Sequence, residues 1–229
     1  MISKKTSFSN NNFTIKNKKM TKIKTIVVLF LIAVLTSCGP TIYKAANFES
    51  SKSTVKTLAI LPFNISIDSK RLPKGTTIET LKESQEKTGY DMQSNAYTWF
   101  LQRQNDYSTT FQDIDKTNAL LKKANITFDN IALQDKGELC KMLGVDGIIS
   151  GKATMSKPMS EGGAIAVAVL FGGFGSTNKT ATSLTIHDVK GGLLWKYDYE
   201  ASGSLGSSAE SLTKALMKNA SRKFPYNKK

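Results

Sequence analysis

A single uninterrupted apolar run, Ile26–Leu35, divides this chain into a part that targets it and a part that must fold. Crossing the hydrocarbon core of a bilayer takes about 20 apolar residues, so this run is too short to span. Lys22 and Lys24 precede it and the small residues Thr36 and Ser37 follow, which is the order of an export signal peptide. Residues 1–37 are therefore expected to be removed. Residues 1–19 are polar and Asn-rich, unlike the usual short basic flank, and Met1 and Met20 both stand as starting residues.

The residues at the end of the run, Leu35-Thr36-Ser37-Cys38, resemble the lipobox of bacterial lipoproteins. In that family a branched apolar residue and two small ones precede the cysteine that receives diacylglycerol. The resemblance implies that Cys38 becomes the acylated first residue of the mature protein, with residues 38–53 as a lipidated tether. Each buried methylene contributes about 0.8 kcal/mol, and two or more acyl chains anchor a protein stably. The Leu-Thr-Ser-Cys-Gly style is similar to that of Bacteroidetes-type lipoproteins, in which acidic residues after the cysteine mark surface export. Gly39-Pro40-Thr41-Ile42-Tyr43-Lys44 has none, so the expected place is the outer membrane, facing the periplasm.

The formal charge of +14 is misleading as a sign of nucleic-acid binding. Seven lysines and no acidic residue lie in residues 1–37, which leaves +7 on the rest. Arg71, Arg103 and Arg222 are the only arginines, and the lysines are scattered. Phosphate-gripping domains cluster such residues on one face, so no nucleic-acid partner is expected. If acylation uses Cys38, Cys140 is left without a partner for a disulfide within the chain. Its setting, Leu139-Cys140-Lys141-Met142-Leu143, suits a buried thiol packing as a small hydrophobe.

The remaining chain, residues 54–229, reads as one domain. Val55–Phe63 is a branched, proline-stopped strand, and residues 65–76 form a polar loop. A helix is expected from Ile78 to Gln104, with Leu81, Met92, Ala96, Trp99 and Phe100 inward and Gly89 as a point of division. A brief strand at Ser108–Phe111 precedes helices from Asp115 to Asn125 and from Leu133 to Leu143, the latter capped by Gly144. Val145–Met155, Thr182–Val189 and Leu193–Ala201 read as strands, the last two joined by a tight turn at Lys190-Gly191-Gly192. A final helix, Ser208–Phe224, carries Leu212, Ala215 and Leu216 on one face. The order implies an α/β (α+β sandwich) fold: one mixed sheet flanked by helices, closing with an antiparallel hairpin and a C-terminal helix.

Three motifs carry a wider resemblance. Leu58-Ala59-Ile60-Leu61-Pro62-Phe63 resembles the apolar-Leu-Pro-Phe opening of lipoproteins related to the curli secretion pore, a fold group shared with peptidoglycan synthase activator lipoproteins and the amino-terminal domain of TolB. Leu143–Gly151 is similar to their Gly-Ala/Val-Asp-apolar-Gly strand entry, and Asp188 with Gly191-Gly192-Leu193-Leu194-Trp195 to their hairpin. The resemblance covers roughly residues 54–224 and implies a fold and an envelope location. Its members secrete, scaffold or activate, so it implies no single function.

Catalytic chemistry is sparse. His187 is the only histidine, and strand neighbours such as Asp188 point to opposite faces, so the two form no dyad. No His or Cys pair has ligand spacing, so neither metal nor cofactor is expected. Ser53-Thr54-Val55-Lys56 and Lys87-Thr88-Gly89 match motifs of penicillin-recognising enzymes only formally, because the first leads into a strand and the Ser-x-Asn element is missing. The glycines around Lys152 and at Gly172–Gly175 lack the context of a phosphate or dinucleotide loop.

Gly162–Gly175 is the one unusual stretch. As a helix it presents Ala164, Ala168 and Gly172 as a small-residue stripe; as a strand it puts Ile165, Val167, Val169 and Phe171 on one face. It reads either as a membrane-inserting or oligomerising segment, like the pore hairpins of the curli relative, or as a buried apolar loop between strands. Trp195, Tyr197 and Tyr199 similarly read as a partner-binding patch or as cover for the core. The expected function is a non-enzymatic membrane-anchored lipoprotein that binds another envelope protein or itself in an assembly or regulatory role. The alternative is a subunit of an oligomeric curli-type secretion pore with residues 162–175 entering the membrane.

Overall fold

The computed structural model describes residues 39–68, 77–156, 179–202 and 209–228. The lipobox residues Leu35, Thr36, Ser37 and Cys38, and the apolar residues Ile165, Val167, Val169 and Phe171, lie outside them. The elements are β1 (Thr41–Lys44), α1 (Phe48–Lys52), β2 (Thr57–Ile60), β3 (Asn64–Asp68), α2 (Ile78–Leu101), β4 (Thr110–Phe111), α3 (Ile114–Lys123), α4 (Lys136–Leu143), β5 (Gly147–Ser156), β6 (Lys179–Asp188), β7 (Leu193–Ser202) and α5 (Ala209–Arg222). They build one mixed seven-stranded sheet in the order β1-β7-β6-β5-β2-β4, with β3 also paired to β5. The expected α/β sandwich with a closing hairpin and C-terminal helix is the fold observed.

β5 is the centre of the sheet. It pairs antiparallel with β6 over its whole length and parallel with β2 and then β3 on its other side. Ile60 lies opposite Ile149 and Asn64 opposite Lys152, so β2–β3 carries one more residue than the stretch of β5 it faces. The surplus is absorbed at Leu61-Pro62-Phe63. Leu61 still donates to the Ile149 carbonyl, Pro62 has no N–H to give, and Phe63 N–H turns away to the Gly89 carbonyl of α2 at 3.1 Å. The Phe63 side chain is fully buried against Gly151, where a Cβ would overlap its ring. Gly89 is likewise crowded by Phe128 and the Phe63 carbonyl.

Alternation sorts the two faces. Leu58, Ile60, Ile149, Ala153, Leu184, Ile186, Trp195 and Tyr197 meet Met92, Ala96 and Phe100 of α2 and Leu216, Met217 and Ala220 of α5 in the larger core. The aromatics Phe100 and Phe224 pack at 4.8 Å, and Trp195 stacks on Tyr197 at 5.7 Å. On the opposite face Ala59, Leu61 and Ile148 pack under Leu121 of α3 and Leu139, Cys140 and Leu143 of α4. The helix ends follow local chemistry. Asp113 and Asp135 cap α3 and α4 through backbone N–H groups, and Gly144 ends α4 in the left-handed conformation at φ 66°.

Several expectations are corrected. The region read as a loop from residue 65 begins with β3, because Ile65 is buried on one face while Asn64 and Ser66 face outward. The tether expected at residues 38–53 is structured from Thr41: β1 pairs with β7, and Phe48 of α1 is buried against Tyr226. Gly89 does not divide α2; it makes room at a close approach. Leu133 belongs to a 3-10 turn and is 84% exposed, so α4 starts later than expected. Leu81 and Trp99 are half-buried, and Ala215 of α5 is exposed, its inward places being taken by Thr213 and Met217.

If Phe63 and Gly151 act as wedge and socket, their substitutions interact. Phe63→Ala is expected to cost about 3–5 kcal/mol and Gly151→Ala about 1–3 kcal/mol in urea unfolding. The double variant should lose less than the sum, because the new methyl occupies space vacated by the ring. Strict additivity would contradict the wedge.

Candidate functional site

The helices over the second face cover only its part nearest the β6–β7 turn. Farther along the strands the outward side chains are polar and exposed or half-buried. The register sets them in rows. Thr41, Asp198, Ser183, Lys152 and Asn64 share one row across β1, β7, β6, β5 and β3. Tyr43, Lys196, Thr185 and Ser150 share the next. The 3-10 turn at Ile131–Leu133 and the bulge residues Leu61 and Pro62 form an apolar lip beside these rows. Together they enclose an open groove of about 520 Å³.

Three lysines line the groove: Lys136, Lys152 and Lys196. Lys196 pairs with Asp198 at 2.8 Å. Lys136 donates to the carbonyls of Ile131 and Gln134 at 3.2 and 2.9 Å, and burial lowers its pKa, with Asp135 opposing the shift. Lys152 stays exposed. Thr185 donates to the Ser150 carbonyl at 3.4 Å, and the buried Ser150 hydroxyl has no hydrogen-bond partner among the described residues. Ammonium groups, hydroxyls and one amide on a rigid sheet suit hydrogen-bonded capture of an anionic or polar group.

The groups considered for catalysis do not converge on this groove. Asp188 accepts from Lys190 N–H at 3.0 Å and Gly192 N–H at 2.9 Å, which fixes the hairpin turn instead of orienting His187. A bulge between Ile186 and His187 breaks the simple alternation there, and His187 Nδ1 is buried without a partner among the described residues. Burial, followed by the charges of Asp188, Asp146 and Asp135, pushes the Cys140 thiol up to about 12, so it is a poor nucleophile. Ser53 and Thr88 are spent on the local carbonyls of Ser50 and Ser84. Among the described residues no cluster of metal-ligating side chains occurs, and no helix is long and apolar enough to cross a membrane. Trp195 and Tyr197 are buried core residues, and Tyr199 is half-buried beside them, so the aromatic row covers the core. Their neighbour Lys196, paired with Asp198, is the one that lines the groove.

Sequence reasoning missed the groove and the task of Asp146. The Asp146 carboxylate accepts from both Lys56 N–H and Thr57 N–H at 2.9 Å and pins the start of β2 to the start of β5. Its place in the Val-Asp-Gly strand entry was the available signal.

His187 supplies a pH test. Burial, then the Lys136 ammonium, holds its imidazole below the usual pKa, with Asp188 and Asp135 opposing. The folded chain therefore takes up the proton less readily than the unfolded one. Stability should be complete above the ordinary histidine range and fall as pH drops below about 6.5. His187→Gln is expected to flatten the decline in Tm between about pH 7.5 and pH 5. A variant whose Tm falls as steeply as that of the wild type would contradict this assignment.

No family model and no curated protein matches the chain. Solved structures with a similar chain path include the C-terminal domain of LpoB from Salmonella enterica, at 9% identity and TM-score 0.38, over 65% of this chain and 83% of that one. The PelC dodecamer from Paraburkholderia phytofirmans has 11% identity and TM-score 0.40, over 80% of this chain and 96% of that one. Lipoprotein GNA1162 from Neisseria meningitidis has 9% identity and TM-score 0.40, over 73% and 94% respectively.

Proposed function

We propose that this protein is a non-enzymatic lipoprotein of the bacterial envelope, acylated on Cys38, facing the periplasm from the outer membrane. Its domain binds another envelope protein, or a second copy of itself, in an assembly or regulatory role. The observation that carries the reading is Leu35-Thr36-Ser37-Cys38 at the end of a basic-flanked apolar run too short to span a bilayer. The lysine-lined groove, with hydroxyls on the strands beside the ammonium groups, supplies a polar contact surface that supports the binding part of this reading.

A second reading, a pore subunit with residues 162–175 entering the membrane, draws support from the sheet register. Ser156 and Lys179, which bracket residues 157–178, are direct ladder partners, so both ends of that stretch start side by side. Ile165, Val167, Val169 and Phe171 would then be the lipid or subunit contacts.

Cys38→Ala should move the protein from the membrane to the soluble periplasmic fraction, and a variant that stays membrane-bound would refute the anchor. On the groove, Lys152→Glu with Lys196→Glu should abolish a specific cross-link that the exposed-surface change Lys122→Glu leaves intact. Equal cross-linking in both would remove the groove from the contact. Blue-native electrophoresis separates the two readings, since a large defined ring supports the pore and a monomer or small oligomer opposes it.

A further inference from the structure

We infer that the groove takes a short acidic peptide segment of the partner protein, extended across the strands with apolar residues on either side of its carboxylates. This deepens the binding part of the lipoprotein reading and rests on it. Three lysines and no carboxylate line the groove. The acids beside it are already engaged. Asp198 pairs with Lys196 at 2.8 Å, and Asp135 accepts from the Glu138 N–H at 2.9 Å as the cap of α4. Lys152 is exposed and makes no ion pair among the described residues. Lys136 donates to two carbonyls, so its ammonium likewise touches no carboxylate. An anionic occupant is what this field selects.

The register sets the spacing of the charges. Lys196 lies in the row of Tyr43, Thr185 and Ser150, and Lys152 lies in the next row, two strands away. Two strand spacings and a two-residue step put their Cα atoms about 12 Å apart. Cations so separated suit carboxylates distributed along a segment. A single phosphate calls instead for converging donors, such as an arginine fork or a free helix N-terminus. No arginine lines the groove, and Asp135 already caps α4. The groove's volume of about 520 Å³ lies within the usual range for a bound ligand, roughly 300–1,000 Å³.

Apolar surface flanks these cations. Leu61, Pro62, Ile131 and Ala132 line one side, and Leu133 stands 84% exposed at the end of the same 3-10 turn. On the other side Tyr43 continues the Lys196 row onto the edge strand β1 and is 50% exposed. From Tyr43 to Ser150 is three strand spacings, about 14 Å, which an extended chain crosses in about four residues. Ser183 and Thr185 lie between and offer hydrogen bonds to its backbone. The segment that fits therefore carries acidic residues in its middle and apolar ones at its ends.

The test is fluorescence anisotropy on the full protein extracted from membranes in neutral detergent, with its intact mass recorded. The probe is a dye-labelled peptide in which Asp and Glu residues stand between leucines, and its counterpart carries Asn and Gln in their place. The inference predicts about tenfold tighter binding of the acidic probe, as a few partly exposed ion pairs supply, and a gap that shrinks as salt rises. Lys152→Gln with Lys196→Gln should abolish the gap, while Lys122→Gln on α3 keeps it, the Tm of each variant showing that it is folded. Tyr43→Ala should weaken both probes alike, and an unchanged affinity would refute the crossing to β1. No binding of the acidic probe, equal binding of the two probes, or a gap that survives the double lysine change would overturn the inference. Inorganic tripolyphosphate displacing the probe at a lower concentration than the unlabelled acidic peptide would overturn it too. Any of these results on an acylated chain leaves the anchor standing, whereas an unacylated chain that keeps the gap would overturn the lipoprotein reading alone.

Discussion

The rest of the domain depends on how Phe63 is seated. Its ring fills the space above Gly151 on the central strand, and its N–H goes to the Gly89 carbonyl of α2. That single residue ties sheet to helix on one face. The surplus residue it absorbs lets the chain resume as β3 alongside the lower half of β5, so one strand's flank is served by two short strands. On the other face the same bulge sets the buried Leu61 and Pro62 at the floor of the groove's apolar side. A defect in the core contact would therefore be felt at the polar surface as well.

The motifs behind the resemblance to envelope lipoproteins turn out to be devices of the fold. Pro62-Phe63 makes the bulge and wedge, Asp146 pins β2 to β5, Gly151 receives the Phe63 ring, Asp188 closes the hairpin turn, and Trp195 fills the core. They can reveal architecture without revealing a task. The strands β5, β6 and β7 and the Gly144 cap were legible because apolar alternation and turn residues agree there. β3 was not, because an edge strand with a single buried face reads as polar loop in Asn64-Ile65-Ser66-Ile67-Asp68. β1 and α1 were hidden for a similar reason, since Phe48 is the one fully buried side chain in residues 41–52.

The groove was illegible for a different reason. Its lysines and hydroxyls come from alternate positions on strands far apart in sequence, and each one alone looks like an ordinary solvated residue. Only the register gathers Lys152, Lys196, Ser150 and Thr185. Helices α2 and α5 hold the opposite face shut, and α3 and α4 are too short to cover more than one end of this one. The result is a domain with a closed apolar side and a partly open polar side, and with its first strand beginning close behind the proposed lipid anchor. In such a molecule the anchor decides where the polar side can work. Cys38 is thus the residue on which the proposed function turns.

The most direct measurement is the intact mass of the protein extracted from membranes of expressing cells. The account predicts a chain that begins at Cys38 and carries added mass equal to a diacylglyceryl group, alone or with a further acyl chain. An unmodified chain that retains residues 1–37 would contradict it.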